Sequence, residues 1–394
     1  MENAILADAA LGATAIDYHG HGRASKSGRL SSGQEQWPGA VARSSDGRQG
    51  ISSNGDGVTT GGSKTQHGEE KPVRGSEGQA VARLLDGNAI AAAIKAEVAQ
   101  QVAELAAEGI RPGLAVVLVG SVPASQIYVR NKVRTCGQMG IFSELITPPE
   151  SITTAELLAL VGELNVRDDL DGILVQMPLP KHVDSKRVME AILPEKDIDG
   201  LHPMNAGKLQ TGRPALVPCT PAGVIEILKR SGIPIAGQNA VVVGRSDLAG
   251  KPAAMLLLQE NATVTICHSK TRDLASFTRN ADILVPAIGI PGYITPGMVK
   301  PGSTIIDVGI NRLSNQVAGD RELFQDFFPG TFAEDAERRR AFDEKGSTIV
   351  GDVHPRAYDV AGAYTPVPGG AGALTIAMLM ANTVRAAKLR RGIS

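Results

Sequence analysis

Tyr128 and Lys132 stand four residues apart in the run Gly120-Ser121-Val122-Pro123-Ala124-Ser125-Gln126-Ile127-Tyr128-Val129-Arg130-Asn131-Lys132. The run follows a strand-like segment, Leu114 to Val119, and its own pattern predicts a turn and then a helix. On a helix, that spacing puts a phenol and an amine on one face. At the carboxyl end of a strand such a pair could move protons, because burial brings a lysine towards neutrality near physiological pH. The same pair also suits an ordinary solvated helix, where lysines usually sit. The surroundings have to decide.

Other segments offer chemistry of a different kind. Gly244-x-Ser246-x-x-x-Gly250 lies between a strand-like run, Ala240 to Val243, and a helical one, Ala253 to Leu258. Small residues there let a backbone and a helix N-terminus approach a pyrophosphate, although the spacing departs from the usual glycine fingerprint and a plain turn would use the same residues. The next strand, Thr263 to Cys267, should end near the adenosine ribose of a dinucleotide. It is followed by His268-Ser269-Lys270-Thr271-Arg272, with no carboxylate before Asp273, and Arg245 sits in the phosphate turn itself. Cations and hydroxyls favour the 2′-phosphate of NADP over the free 2′-hydroxyl of NAD, the alternative being a solvated basic loop.

Two further segments are ambiguous on composition. In Asp197-Ile198-Asp199-Gly200 at least one carboxylate is expected to cap local backbone, and His202 reads more readily as structural than catalytic. Thr365-Pro366-Val367-Pro368-Gly369-Gly370-Ala371-Gly372 brings backbone close to something, which a ligand or an interdomain hinge would equally explain.

The elements that must position these residues alternate between strands and helices. Ile90, Ile94, Val98 and Val102 recur at helical spacing, and Gly109 and Pro112 stop that helix before the Leu114 strand. A helix-like stretch, Thr153 to Leu164, precedes the apolar run Ile173-Leu174-Val175, giving a βαβ pattern. Thr220 is the expected N-cap and Pro221 the first residue of a helix, Ala222 to Arg230. The strands after Gln238 follow as in a Rossmann-type domain. Residues 313–348 break the pattern with Asp320, Glu322, Glu334, Asp335 and Arg338 to Arg340, and read as an exposed polar insertion. Thr375 to Lys388 reads as a long amphipathic helix ended by Arg390-Arg391-Gly392.

Residues 1–78 are rich in Gly, Ser, Asp, Gln and Arg without apolar periodicity, which predicts disorder. As a targeting segment they fit poorly, with Glu2, Asp8 and Asp17 but no Lys or Arg in the first twenty residues. Cytoplasm and an organelle, plastid or mitochondrion, are both open as the compartment. A net charge of −1 with scattered basic residues leaves no electrostatic footprint for nucleic acid or a membrane surface, and no apolar run is long enough to span a bilayer. Three distant cysteines, Cys136, Cys219 and Cys267, argue against a disulfide framework or a zinc site, so no metal is expected.

Taken together, Tyr128-Val129-x-x-Lys132, Asp171-Gly172-Ile173-Leu174-Val175-Gln176-x-Pro178-Leu179-Pro180, Pro194-x-Lys196-Asp197-x-Asp199-Gly200, Pro218-Cys219-Thr220-Pro221, Gly244-Arg245-Ser246 and Thr365 to Gly370 resemble one family. It is the bifunctional methylenetetrahydrofolate dehydrogenase/methenyltetrahydrofolate cyclohydrolase family. The resemblance covers about residues 82–312 and 349–390, leaving out the extension and the insertion.

The resemblance implies an α/β fold of two domains. A folate-binding catalytic domain would span 79–207 plus 366–394, and a Rossmann NADP-binding domain 208–365, with the insertion at about 313–348 and the C-terminal helix returning to the first domain. It implies oxidation of 5,10-methylenetetrahydrofolate with NADP, hydrolysis of the methenyl product to 10-formyltetrahydrofolate, and a homodimer. By the same carry-over Lys132 is the acid/base of the hydrolysis, Tyr128 positions or stacks on the folate, Gln176 contacts Lys132, and Asp199 holds the pterin. Pro368, Gly369 and Gly370 would border the substrate, and Gly244, Arg245, Ser246, Ser269 and Gly289 the cofactor, with Ile310 near the nicotinamide. One departure stands out: the family's Gly-Gly-Val-Gly-Pro-Met-Thr is Gly369-Gly370-Ala371-Gly372-Ala373-Leu374-Thr375 here, with a rigid proline and some apolar bulk lost near the pterin. Two alternatives follow, a folate-binding protein without turnover and a dehydrogenase lacking the cyclohydrolase.

Overall fold

The computed structural model of the protein describes residues 82–121, 123–330 and 333–393. The extension read above over 1–78 lies outside the described residues. The chain enters through β1 (Arg83–Leu84) and α1 (Gly87–Ala107), whose first amides, those of Asn88 and Ala89, donate to the Asp86 carboxylate. Ile94, Val98 and Val102 are buried along α1, and Gly109 follows it with φ 78°, a left-handed stop that favours glycine.

A three-stranded parallel sheet forms next, in the order β3-β2-β4, from β2 (Gly113–Val117), β3 (Phe142–Ile146) and β4 (Gly172–Val175). All residues of β2 and β4 are buried, as expected of parallel strands covered on both faces. The crossovers are α2 (Pro123–Gln138) and α3 (Thr154–Asn165). Thr153 and Glu156 close a reciprocal capping box at the start of α3. Two short helices follow, α4 (Ser185–Ala191) and α5 (Pro203–Gln210), and then α6 (Cys219–Arg230).

The start of α6 corrects the expectation for Thr220. The N-cap is Pro218, which offers no side-chain acceptor, and Thr220 lies inside the first turn. Its hydroxyl pairs instead with Thr375 Oγ1 at 3.0 Å. The Thr220 hydroxyl thus joins α6 to the helix that carries Thr375 instead of capping free amides.

The second sheet has six parallel strands in the order β1-β11-β8-β7-β5-β6. Its members besides β1 are β5 (Asn239–Val243), β6 (Thr263–Cys267), β7 (Ile283–Pro286), β8 (Thr304–Ile305) and β11 (Ala363–Tyr364), with α7 (Gly250–Gln259) and α8 (Leu274–Thr278) between strands. β1 therefore pairs outside the segment 79–207 assigned to the first domain.

Residues 311–350 depart from the expected exposed loop. β9 (Asn311–Ser314) and β10 (Ser347–Val350) pair antiparallel, and α9 (Ala318–Phe327) and α10 (Ala333–Lys345) fold between them. Leu313, Phe324, Phe327, Phe328, Phe342 and Val350 form a buried cluster there. Charged residues dominate the segment, but its four buried phenylalanines supply enough apolar area to close a small core.

The last helix, α11 (Ala371–Arg390), returns to pack on α1, α6 and α2 and on β2 and β4. Its Leu374, Ala377, Met380 and Val384 join Leu114, Val116, Val242 and Val285 in one continuous core. The terminal arginines do more than suit the helix dipole. Arg390 Nη1 and Arg391 Nη1 each donate to the fully buried Asp171 Oδ1 at 2.6 Å, tying the end of α11 to the start of β4.

Among the described residues, no helix is long and apolar enough to cross a membrane, and no group of three His, Cys, Asp or Glu is placed to hold a metal ion.

Candidate active site

Helix α2 carries Tyr128 and Lys132 to the carboxyl end of the small sheet, where Gln176 follows β4. Lys132 is 4% exposed, and its Nζ donates to Gln176 Oε1 at 3.1 Å. The same Nζ lies 4.3 Å from the centre of the Tyr128 ring, within cation–π range. Gln176 is itself oriented, because its Nε2 donates to the Met177 carbonyl at 2.7 Å and so turns Oε1 towards the lysine.

Burial pushes the Lys132 pKa down, against the opposing charge of Asp199, which pulls it up. Asp199 is in turn held above the ordinary carboxylate range by burial, with Lys132 working in the other direction. The Tyr128 phenol is pushed well up by burial and then by the charge of Asp199, so it stays protonated and can donate a hydrogen bond but not act as a base. One amine that can shed its proton therefore sits between two groups that hold it in place.

The neighbouring acid, Asp197, braces the turn instead. It is buried and accepts from the His202 amide at 2.8 Å and from Asn205 Nδ2 at 2.9 Å. His202 caps α5, its Nδ1 accepting from the Met204 amide at 3.0 Å. Both are structural, as the composition of that turn suggested. Lys196, next to Asp197 in sequence, faces elsewhere and donates to the carbonyls of Leu164 and Arg167.

Asn382 is a supporting residue that sequence reasoning missed. From inside α11 its Nδ2 donates to the carbonyls of Ile198 at 2.7 Å and Val217 at 2.8 Å, fixing the two segments that lead into Asp199 and Cys219. A single Asn in an amphipathic helix carries no signal of this; only the return of α11 creates it.

The Pro-Gly ribbon lies against the start of α1. A Cβ on Gly87 would meet the Gly370 carbonyl oxygen at 2.2 Å, so two backbones touch there. Pro368, Gly369 and Gly370 line a cleft with Asn88, Gly309 and Ile310. A Cβ on Gly372 would stand 3.1 Å from Ile310 Cδ1, so the segment with the Ala371 and Ala373 departures faces the Ile310 loop.

A third group lies at the carboxyl ends of β5 and β6. The Gly244 amide donates to the Cys267 carbonyl at 2.8 Å, bringing the Gly244-Arg245-Ser246 turn beside the His268 to Arg272 loop. Gly244 has φ 131°, and a Cβ there would meet the Ala287 carbonyl oxygen at 2.2 Å, so only glycine fits. Ser246 Oγ accepts from the Ala249 and Gly250 amides at the start of α7. Arg245, Ser269, Lys270 and Arg272 surround this cradle at the protein surface. Its cations and hydroxyls are groups of the kind that a phosphorylated dinucleotide needs. Gly289 and Ile310 stand on the loops after β7 and β8 of the same sheet.

Residues 85–199 match the model of the tetrahydrofolate dehydrogenase/cyclohydrolase catalytic domain, and residues 218–327 and 330–391 match that of the NAD(P)-binding domain of the same family. The second match spans most of 313–348. A bifunctional protein FolD of Koribacter versatilis is 64% identical over 312 residues, which cover 79% of this chain and 99% of that relative. The crystal structure of the FolD methylenetetrahydrofolate dehydrogenase/cyclohydrolase of Campylobacter jejuni has a TM-score of 0.69 at 42% identity, over 79% of this chain and 100% of that one. The Trypanosoma brucei dehydrogenase-cyclohydrolase, solved with NADP cofactor and inhibitor, has a TM-score of 0.68 at 37% identity, over 79% and 98%.

Proposed function

The chain belongs to the tetrahydrofolate dehydrogenase/cyclohydrolase family, and from that premise we propose how its residues divide the two reactions. The protein oxidises 5,10-methylenetetrahydrofolate to 5,10-methenyltetrahydrofolate with NADP and hydrolyses the product to 10-formyltetrahydrofolate. NADP, when bound, takes the hydride from the one-carbon bridge. For that step the protein supplies alignment, and Gly244, Arg245, Ser246, Ser269, Gly289 and Ile310 are the residues assigned to it.

Hydrolysis needs a proton acceptor and then a proton donor. Neutral Lys132 takes a proton from the attacking water as its oxygen bonds to the methenyl carbon. The resulting ammonium returns that proton to the pterin N5 as the carbon–N5 bond breaks, and the carbinol proton leaves to solvent as the formyl C=O forms. Gln176 Oε1 accepts one N–H of the lysine in either protonation state and so aims the remaining valence. Tyr128 holds Nζ over its ring, and Asp199 takes the pterin's N–H donors.

The observation that supports this division is a lysine 4% exposed with its pKa pushed down by burial, aimed by a neutral amide. Following methenyl formation with NADP, and separately the hydrolysis of supplied methenyltetrahydrofolate, tests it. Absence of the first would remove the dehydrogenase assignment, and absence of the second would leave a dehydrogenase alone. By resemblance the assembly is a homodimer, which sedimentation of the purified chain would test. For the compartment the reading remains cytoplasm or an organelle, which a fluorescent fusion of the full chain would separate.

A further inference from the structure

Two buried carboxylates outside the lysine cluster, Asp307 and Asp352, are 1% and 0% exposed and serve no step described above. Asp352 lies just beyond β10, where the 311–350 segment ends. Its Oδ2 accepts from the amides of Ile288 at 2.7 Å and Gly289 at 3.0 Å, and its Oδ1 accepts from the Ile290 amide at 3.0 Å and Asn311 Nδ2 at 2.9 Å. One side chain thus holds three consecutive amides of the loop after β7 and the residue next to Ile310. Asp307 holds the segment that carries it: its Oδ1 accepts from the amides of Gly309 at 2.9 Å and Asp352 at 3.1 Å, and its Oδ2 from Val353 at 3.0 Å and the Tyr358 hydroxyl at 3.2 Å.

The packing is reciprocal. A Cβ on Gly309 would meet Asp352 Cγ at 2.3 Å, and a Cβ on Gly351 would meet Asp307 Oδ2 at 1.9 Å. Each carboxylate fills the place where the other segment lacks a side chain. The two loops consequently have one relative register, and the 351–353 segment is the wedge that sets it.

We propose that Asp352, seated by Asp307, is a positioning residue for the dehydrogenase reaction, fixing the Gly289 and Ile310 loops to each other so that the nicotinamide is presented to the one-carbon bridge. The assignment rests on the reading that the cofactor lies along Gly244 to Ser246, Ser269, Gly289 and Ile310. It also explains what the 311–350 segment contributes, since the end of that segment delivers Asp352.

All four partners of the Asp352 carboxylate are donors, so an amide at this position turns an N–H towards an N–H. The test is Asp352→Asn, with NADP affinity measured by calorimetric titration alongside both activities. A rise of about tenfold or more in the NADP Kd is expected, with dehydrogenase kcat/KM falling and hydrolysis of supplied methenyltetrahydrofolate within about twofold of wild type. Asn311→Ala, which removes only one of the four bonds, should shift NADP affinity in the same direction by less, and it decides the matter if Asp352→Asn does not fold. NADP affinity unchanged in the folded variants, or both activities falling in parallel, would overturn the assignment. Arg245→Ala separates the two levels: if it weakens NADP while Asp352→Asn and Asn311→Ala do not, the cofactor cleft stands and the positioning role fails. If none of the three weakens NADP, the cleft reading fails and the proposal with it.

Discussion

Lys132 Nζ and Gln176 Oε1 lie 3.1 Å apart, one on a helix and the other just beyond a strand, with the Gln176 amide pinned by its own bond to the Met177 carbonyl. A lysine in this position loses solvent and gains a neutral acceptor. Both effects leave it easier to deprotonate than a lysine paired with a carboxylate.

The pH dependence follows with a definite sign. Burial lowers the Lys132 pKa, so the base form is reached at a lower pH than for an exposed lysine, and hydrolysis should rise as pH increases through that lowered value. Asp199 opposes the shift, since its charge favours the ammonium. In Asp199→Asn the rising limb of kcat for methenyl hydrolysis should therefore move to lower pH. A move to higher pH would contradict the assignment of that limb to Lys132.

Arg245 stands exposed in the turn after β5, beside a loop with no carboxylate before Asp273. Arg245→Ala should lower the preference for NADP over NAD, read as the ratio of kcat/KM values, by about tenfold, the worth of a charge-assisted phosphate contact. An unchanged ratio would place the 2′-phosphate elsewhere.

Asp307 gives a stability prediction. Burial and then the charge of Asp352 push its pKa up to about 7, against three backbone amides that favour the anion. Its ordinary value is 3.8, so between about pH 4 and pH 7 the folded protein binds the proton more tightly than the unfolded chain does. Asp307 therefore contributes stability that is present at low pH and is lost as pH rises to about 7. Thermal unfolding of wild type and Asp307→Asn across that range should show the wild type losing stability relative to the variant as pH rises. Parallel curves would contradict the shift.

The α/β alternation is legible in the sequence, because buried parallel strands and amphipathic helices have distinct periods, and spacing alone puts Tyr128 and Lys132 on one face. Composition does not separate Asp199 from Asp197. Those two differ only in what folds over them: Asn205 and the His202 amide satisfy one, while Lys132 faces the other. Residues 313–348 mislead for a related reason. Local polarity outweighs Phe324, Phe327 and Phe328, whose fourth partner comes from another helix, and Phe324 stacks on Phe342 at 4.1 Å only after two helices have formed. Asp307, Asp352 and Asn382 leave no periodic signal at all, since each acts on backbone that the fold brings to it from a distance.

The division of labour between the two reactions is tested most directly by Lys132→Met, assayed separately for hydride transfer to NADP and for hydrolysis of supplied methenyltetrahydrofolate. Hydrolysis should fall by about 100-fold or more, the usual worth of a positioned acid/base, while methenyl formation with NADP stays within about tenfold of wild type. Hydrolysis at the wild-type rate in that variant would contradict the role of Lys132.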